Sequence, residues 1–270
     1  MYFDAHLHLF DDTPLGNTLA ANIGERPDRD YYFSQYLAPD GAVGGVVMGN
    51  GPLDAQGKDL PERFYYTLGL DEPSLFPLRE ETYSAIRRRL EDPKCVGVKL
   101  YPGYIPLYPD DPQYEGVIRC CEQANKVLAV HTGMTADKGA KMKYARPMRL
   151  DDIAVDHPEL KIVMCHFGNP FLEEAAAVME HNRNVYADLS GLIEGPFAPE
   201  HWLEKEKDYL QFLRSWLHYV GDGRRFLFGT DWPAVNGYAY AEFISRIVDP
   251  DWLDGVMLHN ACAVYNIPLN

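Results

Sequence analysis

Short apolar runs recur along the chain, and each one ends in polar or glycine-rich residues. Eight such runs can be distinguished, at residues 2–10, 43–50, 64–71, 95–102, 127–133, 161–169, 185–191 and 225–233. Their nearly continuous apolar character is typical of strands that are buried on both faces, as in a parallel sheet. The pattern therefore predicts eight buried parallel strands.

Segments with helical periodicity lie between most of these runs. Residues 78–92 place Tyr83, Ile86 and Leu90 on one face and charged side chains on the other. Similar patterns occupy residues 114–125, 148–159, 170–182 and 207–221, whereas no clear helix separates the second and third runs. A spacing of about 30 residues per strand matches a repeated βαβ unit. We therefore predict an α/β fold, a (β/α)8 TIM barrel, formed by a single domain over residues 1–270.

The composition is that of a globular protein and narrows the expected partners. The chain has 270 residues, of which 46% are hydrophobic, and its formal net charge of −15 disfavours nucleic acid or an anionic membrane as a partner. The five cysteines are scattered and include no C-x-x-C pair, so we expect core residues and not disulfides or a zinc ribbon. Without a signal peptide or an apolar span, a cytoplasmic location is expected. A homo-oligomer is a further possible assembly, which the sequence neither favours nor disfavours.

Two histidines stand one residue apart at the end of the first run. In a strand the side chains at i and i+2 share a face, so His6 and His8 should point one way and Ala5, Leu7 and Leu9 the other. Two converging imidazoles can share a metal ion. The pair is a weak signal alone, and further ligands must come from elsewhere in the sequence.

Polar residues close several of the other runs. Lys99 closes the fourth, His131 the fifth, His166 the sixth and Asp231 the eighth. The carboxyl ends of the strands of a (β/α)8 barrel meet at one mouth, where catalytic groups lie. One histidine at such a position is usually structural, but this whole set in one layer favours a metal site.

The set resembles the metal site of the amidohydrolase superfamily. The matching residues follow the family's order along the chain: His6-Leu7-His8, His131 in "AVHTG", His166 in "CHFGN" and Asp231 in "GTDWP". The small size and the "GTDWP" ending are similar to the branch that includes aminocarboxymuconate-semialdehyde and γ-resorcylate decarboxylases and many uncharacterised hydrolases. Some decarboxylases of that branch carry Glu where His6 stands, and this chain departs from them by keeping His.

The resemblance implies that His6, His8, His131 and Asp231 surround a divalent metal, most often zinc. Such a site lowers the pKa of a water molecule to about 7. Asp231 would then take the proton of the water, and His166 would polarise a substrate carbonyl or hold the water. Asp188, which closes the seventh run, is a candidate to support the site from behind.

Lys99 has two interpretations that stay open at this point. In some family members a carboxylated lysine on the fourth strand bridges two metals, and His131 and His166 bind the second ion. Alternatively, Lys99 keeps an ordinary ammonium group and binds a substrate carboxylate. The second interpretation, with one metal ion, is favoured because the branch is usually mononuclear.

Several residues are candidates for substrate binding. The loop at residues 135–149 gathers five cations in an acidic protein: Lys138, Lys141, Lys143, Arg146 and Arg149. Arg146 is the best candidate for a bidentate contact to an anionic substrate, although a solvated loop is an equal alternative. Tyr101, Tyr104, Asn169 and Trp232 follow strand ends and are predicted to line the pocket, unless they serve packing alone.

These features lead to a metal-dependent hydrolase of an amide, ester or lactone of a small, carboxylated molecule. A non-oxidative decarboxylase with the same residues is the alternative, since both reactions need the same ligands. A barrel that binds a metal or ligand without catalysis is the second alternative. The presence of both His166 and Asp231 counts against that last interpretation.

Overall fold

Eight strands form one parallel sheet in the order of the sequence, from β1 to β8. The computed structural model describes residues 1–268. The strands are β1 (Tyr2–Leu7), β2 (Ala42–Met48), β3 (Phe64–Leu70), β4 (Cys95–Leu100), β5 (Val127–Val130), β6 (Ile162–Met164), β7 (Val185–Asp188) and β8 (Phe226–Leu227). Each strand coincides with one of the eight apolar runs, with β2 beginning one residue before its run, and the predicted (β/α)8 architecture is confirmed.

Backbone hydrogen bonds between the β1 region and the segment that directly follows β8 close the sheet into a barrel; this contact is called the β8–β1 seam. The amide of Ala5 donates to the carbonyl oxygen of Phe228 over 2.9 Å, and the amide of His8 donates to that of Trp232 over 2.8 Å. In the opposite direction, the amide of Thr230 donates to the carbonyl oxygen of His6 over 3.1 Å. This seam brings the beginning and the end of the chain side by side at the mouth of the barrel.

Ten α-helices accompany the strands in the described part of the chain. They are α1 (Pro14–Asn22), α2 (Arg29–Tyr36), α3 (Glu80–Leu90), α4 (Glu115–Gln123), α5 (Leu150–Asp156), α6 (Leu172–His181), α7 (Pro199–Lys205), α8 (Lys207–Val220), α9 (Gly237–Ile247) and α10 (Asn260–Val264). The five predicted helical segments contain α3, α4, α5, α6 and α8. Residues 49–63, between β2 and β3, form turns, as the missing helical pattern there indicated.

The core has two layers. An inner cluster joins side chains from the strands to the α10 region, and a larger outer cluster fills the space between strands and helices. Ala5 belongs to the inner cluster and Leu7 to the outer one, so the prediction that these two share a face is corrected. The reason is a register irregularity in β1 between Asp4 and Leu7, which interrupts the strict alternation.

All five cysteines are free and buried. Within residues 1–268, the helices are too short or too polar to cross a membrane.

Candidate metal centre

The six ionisable residues predicted from strand ends lie together at the mouth of the barrel. They all line one cavity of about 550 Å³: His6, His8, Lys99, His131, His166 and Asp231. The four histidines and the lysine are buried, and the side chain of Asp231 is 17% exposed. The structure thus brings together residues that are spread over most of the sequence.

Asp231 contacts both His6, which lies in β1, and His8, which directly follows that strand. Its Oδ1 atom lies 3.3 Å from Nε2 of His6 and 3.3 Å from Nε2 of His8. The amide of Asp231 donates to the carbonyl oxygen of His6 over 2.8 Å, so the β8–β1 seam fixes this arrangement. One ligand atom from each of the three residues falls within 4.8 Å of the others, which suits a shared metal ion.

Hydrogen bonds on the far side of the two rings decide which nitrogen carries the proton. Nδ1 of His6 lies 2.9 Å from Oδ2 of Asp188, and Nδ1 of His8 lies 2.7 Å from Oδ1 of Asn50. The Asn50 amide nitrogen donates to Asp71 over 2.9 Å, so its oxygen is the atom that faces His8. Both Nδ1 atoms therefore donate, and in the neutral rings both Nε2 atoms present lone pairs to the Asp231 carboxylate.

This arrangement fits a cation. Two imidazole lone pairs that face one carboxylate oxygen repel it, unless a proton or a metal ion lies between them. Zinc is bound in proteins by imidazole nitrogen and carboxylate oxygen, and its histidine ligands usually donate their second N–H to a carboxylate or carbonyl. The donor set and its supporting hydrogen bonds thus match a divalent metal site.

His166 and His131 form a second ordered chain of hydrogen bonds. The Ser190 hydroxyl donates to Asp188 over 2.5 Å, so its oxygen accepts from Nδ1–H of His166 over 2.8 Å. Nε2 of His166 then accepts from Nδ1–H of His131 over 3.1 Å. Nε2 of His131 is left with a free lone pair, and among residues 1–268 it has no hydrogen-bond partner. Such an orphaned buried nitrogen suits a metal ligand, although His131 lies outside the 4.8 Å group.

Burial and charge set the protonation of these groups. Burial lowers the pKa of His166 to about 4, and burial together with His166 holds the pKa of His131 well below its usual value. Burial acts to raise the pKa of Asp231, but the neighbouring histidines outweigh it and hold that pKa well below the usual value. Near neutral pH His131 and His166 are therefore neutral and Asp231 is a carboxylate. Burial and Lys99 act to lower the pKa of His6, but Asp188 outweighs them and holds that pKa well above the usual value, so the metal-free His6 ring is protonated.

The backbone is strained at both residues that were predicted to be catalytic. His166 has φ 65° and Asp231 has φ 59°, in the left-handed region that non-glycine residues seldom adopt. Such conformations cost about 1–3 kcal/mol each and persist where surrounding contacts fix them. Here the His166 amide donates to Oδ1 of Asp188 over 2.9 Å. The two strained residues are thus the ones whose side chains line the cavity.

Lys99 is fully buried in the cavity wall. Its Nζ atom lies 2.6 Å from Sγ of Cys165 and 5.4 Å from the centre of the Tyr101 ring. The amine is therefore already engaged with a sulfur and an aromatic face. Both interpretations of Lys99, substrate contact and carboxylated bridge, remain predictions.

Three of the five residues predicted for substrate binding line the cavity. Tyr101 donates its hydroxyl to the carbonyl oxygen of Gly49 over 2.8 Å, and the Asn169 side chain contacts the loop after β7 through Gly191 and Leu192. Tyr104 also lines the cavity, and its ring centre lies 5.0 Å from that of His131. These residues form the polar wall around the histidines.

The structure places Arg146 and Trp232 elsewhere, and both expectations are corrected. The Arg146 guanidinium pairs with Glu174 and lies 3.9 Å from the centre of the Phe171 ring. Trp232 is fully buried and donates its indole N–H to Glu25 over 2.8 Å. In the described chain neither belongs to the cavity lining, because each satisfies its polar group on another element.

Three supporting residues were missed, although the search for polar residues at the ends of apolar runs could have found them. Asn50 ends the second run, Asp71 ends the third, and Ser190 lies near the end of the seventh. Asp188, which was anticipated, contacts both His6 and His166. A fourth missed residue, Glu194, lines the cavity from a loop and carries no comparable signal in the sequence.

Comparisons with known proteins agree with this geometry. A family model described as amidohydrolase matches residues 3–267. The chain belongs to the amidohydrolase family. This amidohydrolase family is metal-dependent, and its members similar to this chain include hydrolases and decarboxylases. No curated protein shows significant similarity to the chain.

Several solved structures share the fold of this amidohydrolase at low sequence identity. An uncharacterized TIM-barrel protein from Bordetella bronchiseptica matches with TM-score 0.73 and 20% identity, over 98% of both chains. A probable 2-pyrone-4,6-dicarboxylic acid hydrolase from Acinetobacter baumannii matches with TM-score 0.67 and 16% identity, over 98% of this chain and 99% of that one. A 2,6-dihydroxybenzoate decarboxylase from Rhizobium gives TM-score 0.63 and 16% identity, over 98% of both.

Proposed function

We propose that this amidohydrolase family member is a metal-dependent hydrolase that cleaves an amide, ester or lactone of a small molecule. The observation that carries the proposal is the convergence of Nε2 of His6 and Nε2 of His8 on Oδ1 of Asp231, 3.3 Å from each. His131 would complete the set through its free Nε2. A divalent ion, most simply one zinc ion, would supply water activation at neutral pH and polarise a carbonyl oxygen.

The residues of the chain have distinct roles in this proposal. Asp231 is held as a carboxylate and is partly exposed to the cavity, so it can take the proton of the attacking water. His166 accepts from His131 and donates to Ser190, so in this state it orients His131. To polarise a substrate carbonyl, as the sequence suggested, Nε2 of His166 would have to carry a proton. It would then give up the hydrogen bond that it accepts from His131.

A decarboxylase is the second candidate, and Lys99 is the observation that favours it. A buried cation in the cavity could receive the carboxylate of an aromatic acid. The hydrolase is preferred because the charged side chains of the lining include five acids and only two bases, in the part of the chain that the structure describes. The divalent ion would offset the charge of Asp231, but the other four acids still outnumber the two bases, which makes the cavity a poor receptor for a carboxylated substrate.

Isotope incorporation separates the candidates. The purified protein, loaded with zinc after metal analysis, is incubated in ¹⁸O-labelled water with a panel of esters, lactones, amides and 2-hydroxybenzoates. Label in a carboxylate product supports the hydrolase, and the Asp231→Asn variant should lose the activity. Release of CO₂ without label in the product overturns it in favour of the decarboxylase. Metal binding without turnover of any class would point to a barrel that only binds.

A further inference from the structure

One part of the cavity has a character that the metal centre does not need. Beyond the histidines six aliphatic side chains line it: Leu9, Leu15, Leu19, Val47, Pro52 and Leu60. Leu15 and Leu19 lie one turn apart on α1 and therefore share a face of that helix. Both are only half-buried although they are apolar, because they border this cavity.

The aliphatic part of the cavity wall is continuous with His8, a candidate metal ligand. The Phe10 ring stacks on the His8 ring, with centres 4.9 Å apart and planes 8° from parallel. Gly16 in α1 allows this position, since a Cβ atom there would lie 2.4 Å from Cβ of Phe10. An apolar surface thus runs from His8 along Phe10 to α1.

The opposite side of this space is formed by the non-helical segment between β2 and β3, which side-chain hydrogen bonds hold in place. Gln56, in the segment between β2 and β3, accepts from the amide of Gly69 over 2.7 Å. Its amide nitrogen donates to the carbonyl oxygen of Gly51 over 2.7 Å and to that of Gly69 over 3.0 Å. These contacts order the segment that carries Pro52 and Leu60, so the space is preformed.

The charges of the lining disfavour an anionic occupant of this space. The charged residues are five acids, Asp11, Asp71, Glu72, Glu194 and Asp231, and two bases, Arg29 and Lys99. Arg29 donates to the carbonyl oxygen of Lys58 over 2.7 Å and lies 3.8 Å from Asp11, so its charge is already engaged. Lys99 stands at the metal-centre end, beside Cys165.

We propose that the substrate carries an uncharged alkyl or aryl arm, which lies between α1 and the β2–β3 segment while its reactive carbonyl group lies at the histidines. This inference rests on the proposed function and names the substrate class of that site. It also revises the expectation of a broadly anionic substrate: at most one acidic group, next to Lys99, would be accommodated.

Alkyl hydroxamic acids test the arm by binding alone, because the hydroxamate head binds metal ions and the chain length can be varied. The zinc-loaded protein is titrated calorimetrically with aceto-, butyro-, hexano- and octanohydroxamic acid, and with suberic acid monohydroxamate. Each buried CH₂ should lower Kd about fourfold until the arm is filled. The carboxylate-ended ligand should bind at least about tenfold more weakly than octanohydroxamate.

Variants on one helix provide the matched comparison. Leu19→Asn should reduce the gain per CH₂ to below about twofold, whereas Thr18→Asn, on the exposed side of α1, should leave the series unchanged. Leu19→Lys should reverse the preference between octanohydroxamate and the carboxylate-ended ligand. Equal affinity across the alkyl series, or tighter binding of suberic monohydroxamate by the unmodified protein, overturns the arm alone.

The outcomes also separate the arm from the function. A clear chain-length trend without hydrolysis of any ester, amide or lactone overturns the hydrolase and leaves the arm in place. Hydrolysis of short or carboxylated substrates without a chain-length trend overturns the arm and leaves the hydrolase in place. Failure of every hydroxamate to bind would overturn the metal centre together with the arm attached to it.

Discussion

Nδ1 of His6 lies 2.9 Å from Oδ2 of Asp188, although 182 positions separate the two residues in the sequence. Both side chains are buried, and the contact fixes the His6 tautomer that presents the Nε2 lone pair to the cavity. Partners of this kind commonly change metal affinity 10–100-fold when they are replaced.

Asp188→Asn should weaken zinc binding by about 10–100-fold, because the amide replaces a charged acceptor of the His6 N–H. Competition with a chromogenic chelator measures the affinity. Asp208→Asn, at an exposed position in the first turn of α8, is the matched control and should bind as the unmodified chain does. Equal affinities of the two variants would contradict the role given to Asp188.

Asn50 allows a test of the acceptor alone. Asn50→Asp keeps an oxygen opposite Nδ1 of His8 and should retain zinc affinity within a fewfold, whereas Asn50→Leu should lose about 10–100-fold. The comparison is made by the same chelator competition, with thermal unfolding to confirm that both variants are folded. A loss of similar size in both variants would mean that the amide acts through Asp71 and not through His8.

Asp231→Asn should lower kcat by a factor of about 10²–10⁴, the usual contribution of a general base. Asparagine suits the backbone here because it tolerates the left-handed conformation better than most residues. Metal content is measured alongside kcat, so that loss of the ion and loss of the base can be distinguished. Full activity with full metal occupancy would show that another group takes the proton.

The buried neutral state of His166 predicts a dependence of stability on pH. Its folded pKa of about 4 lies below the unfolded value near 6.5, so the unfolded chain binds more protons between these values. Stability of the metal-free protein should therefore fall by about 3 kcal/mol from this group as pH decreases from 6.5 to 4. Urea unfolding of His166→Asn should show a shallower decrease, and an equal slope would contradict the assignment.

The contact between Lys99 and Cys165 leads to an expected metal stoichiometry. Because the amine is engaged by the sulfur, we expect it to stay uncarboxylated and the site to hold one ion. Elemental analysis should give one zinc per chain with or without added bicarbonate, and Lys99→Met should keep that ion. Two ions per chain, lost in Lys99→Met, would establish the bridging carbamate.

The fold could be read from the sequence because buried parallel strands leave a strong apolar signal. The polar residues at the strand ends also identified six side chains that line one cavity, since a closed barrel forces strand ends together. The direction in which a side chain points was harder to predict from the sequence. Trp232 points to Glu25, and Arg146 points to Glu174. Such choices depend on partners from distant elements, which no local pattern records.

Some structure was missed for a different reason. Helices α1 and α2 lie in a stretch with little helical periodicity, and their N-terminal hydrogen bonds come from Thr13 and Asp28. The irregularity in β1 depends on the facing strands, so alternation predicted the His6 and His8 pair correctly but misplaced Ala5. The cavity charge could not be anticipated, since it depends on which loops reach the mouth.

The seam between β8 and β1 has a consequence for biosynthesis. His6 and His8 are synthesised long before Asp231, and they cannot converge with it until β8 has been made and the barrel has closed. Contacts of such long sequence separation form late and slowly. Any partly assembled species should therefore be unable to capture zinc, and uptake of the ion would report the completion of folding.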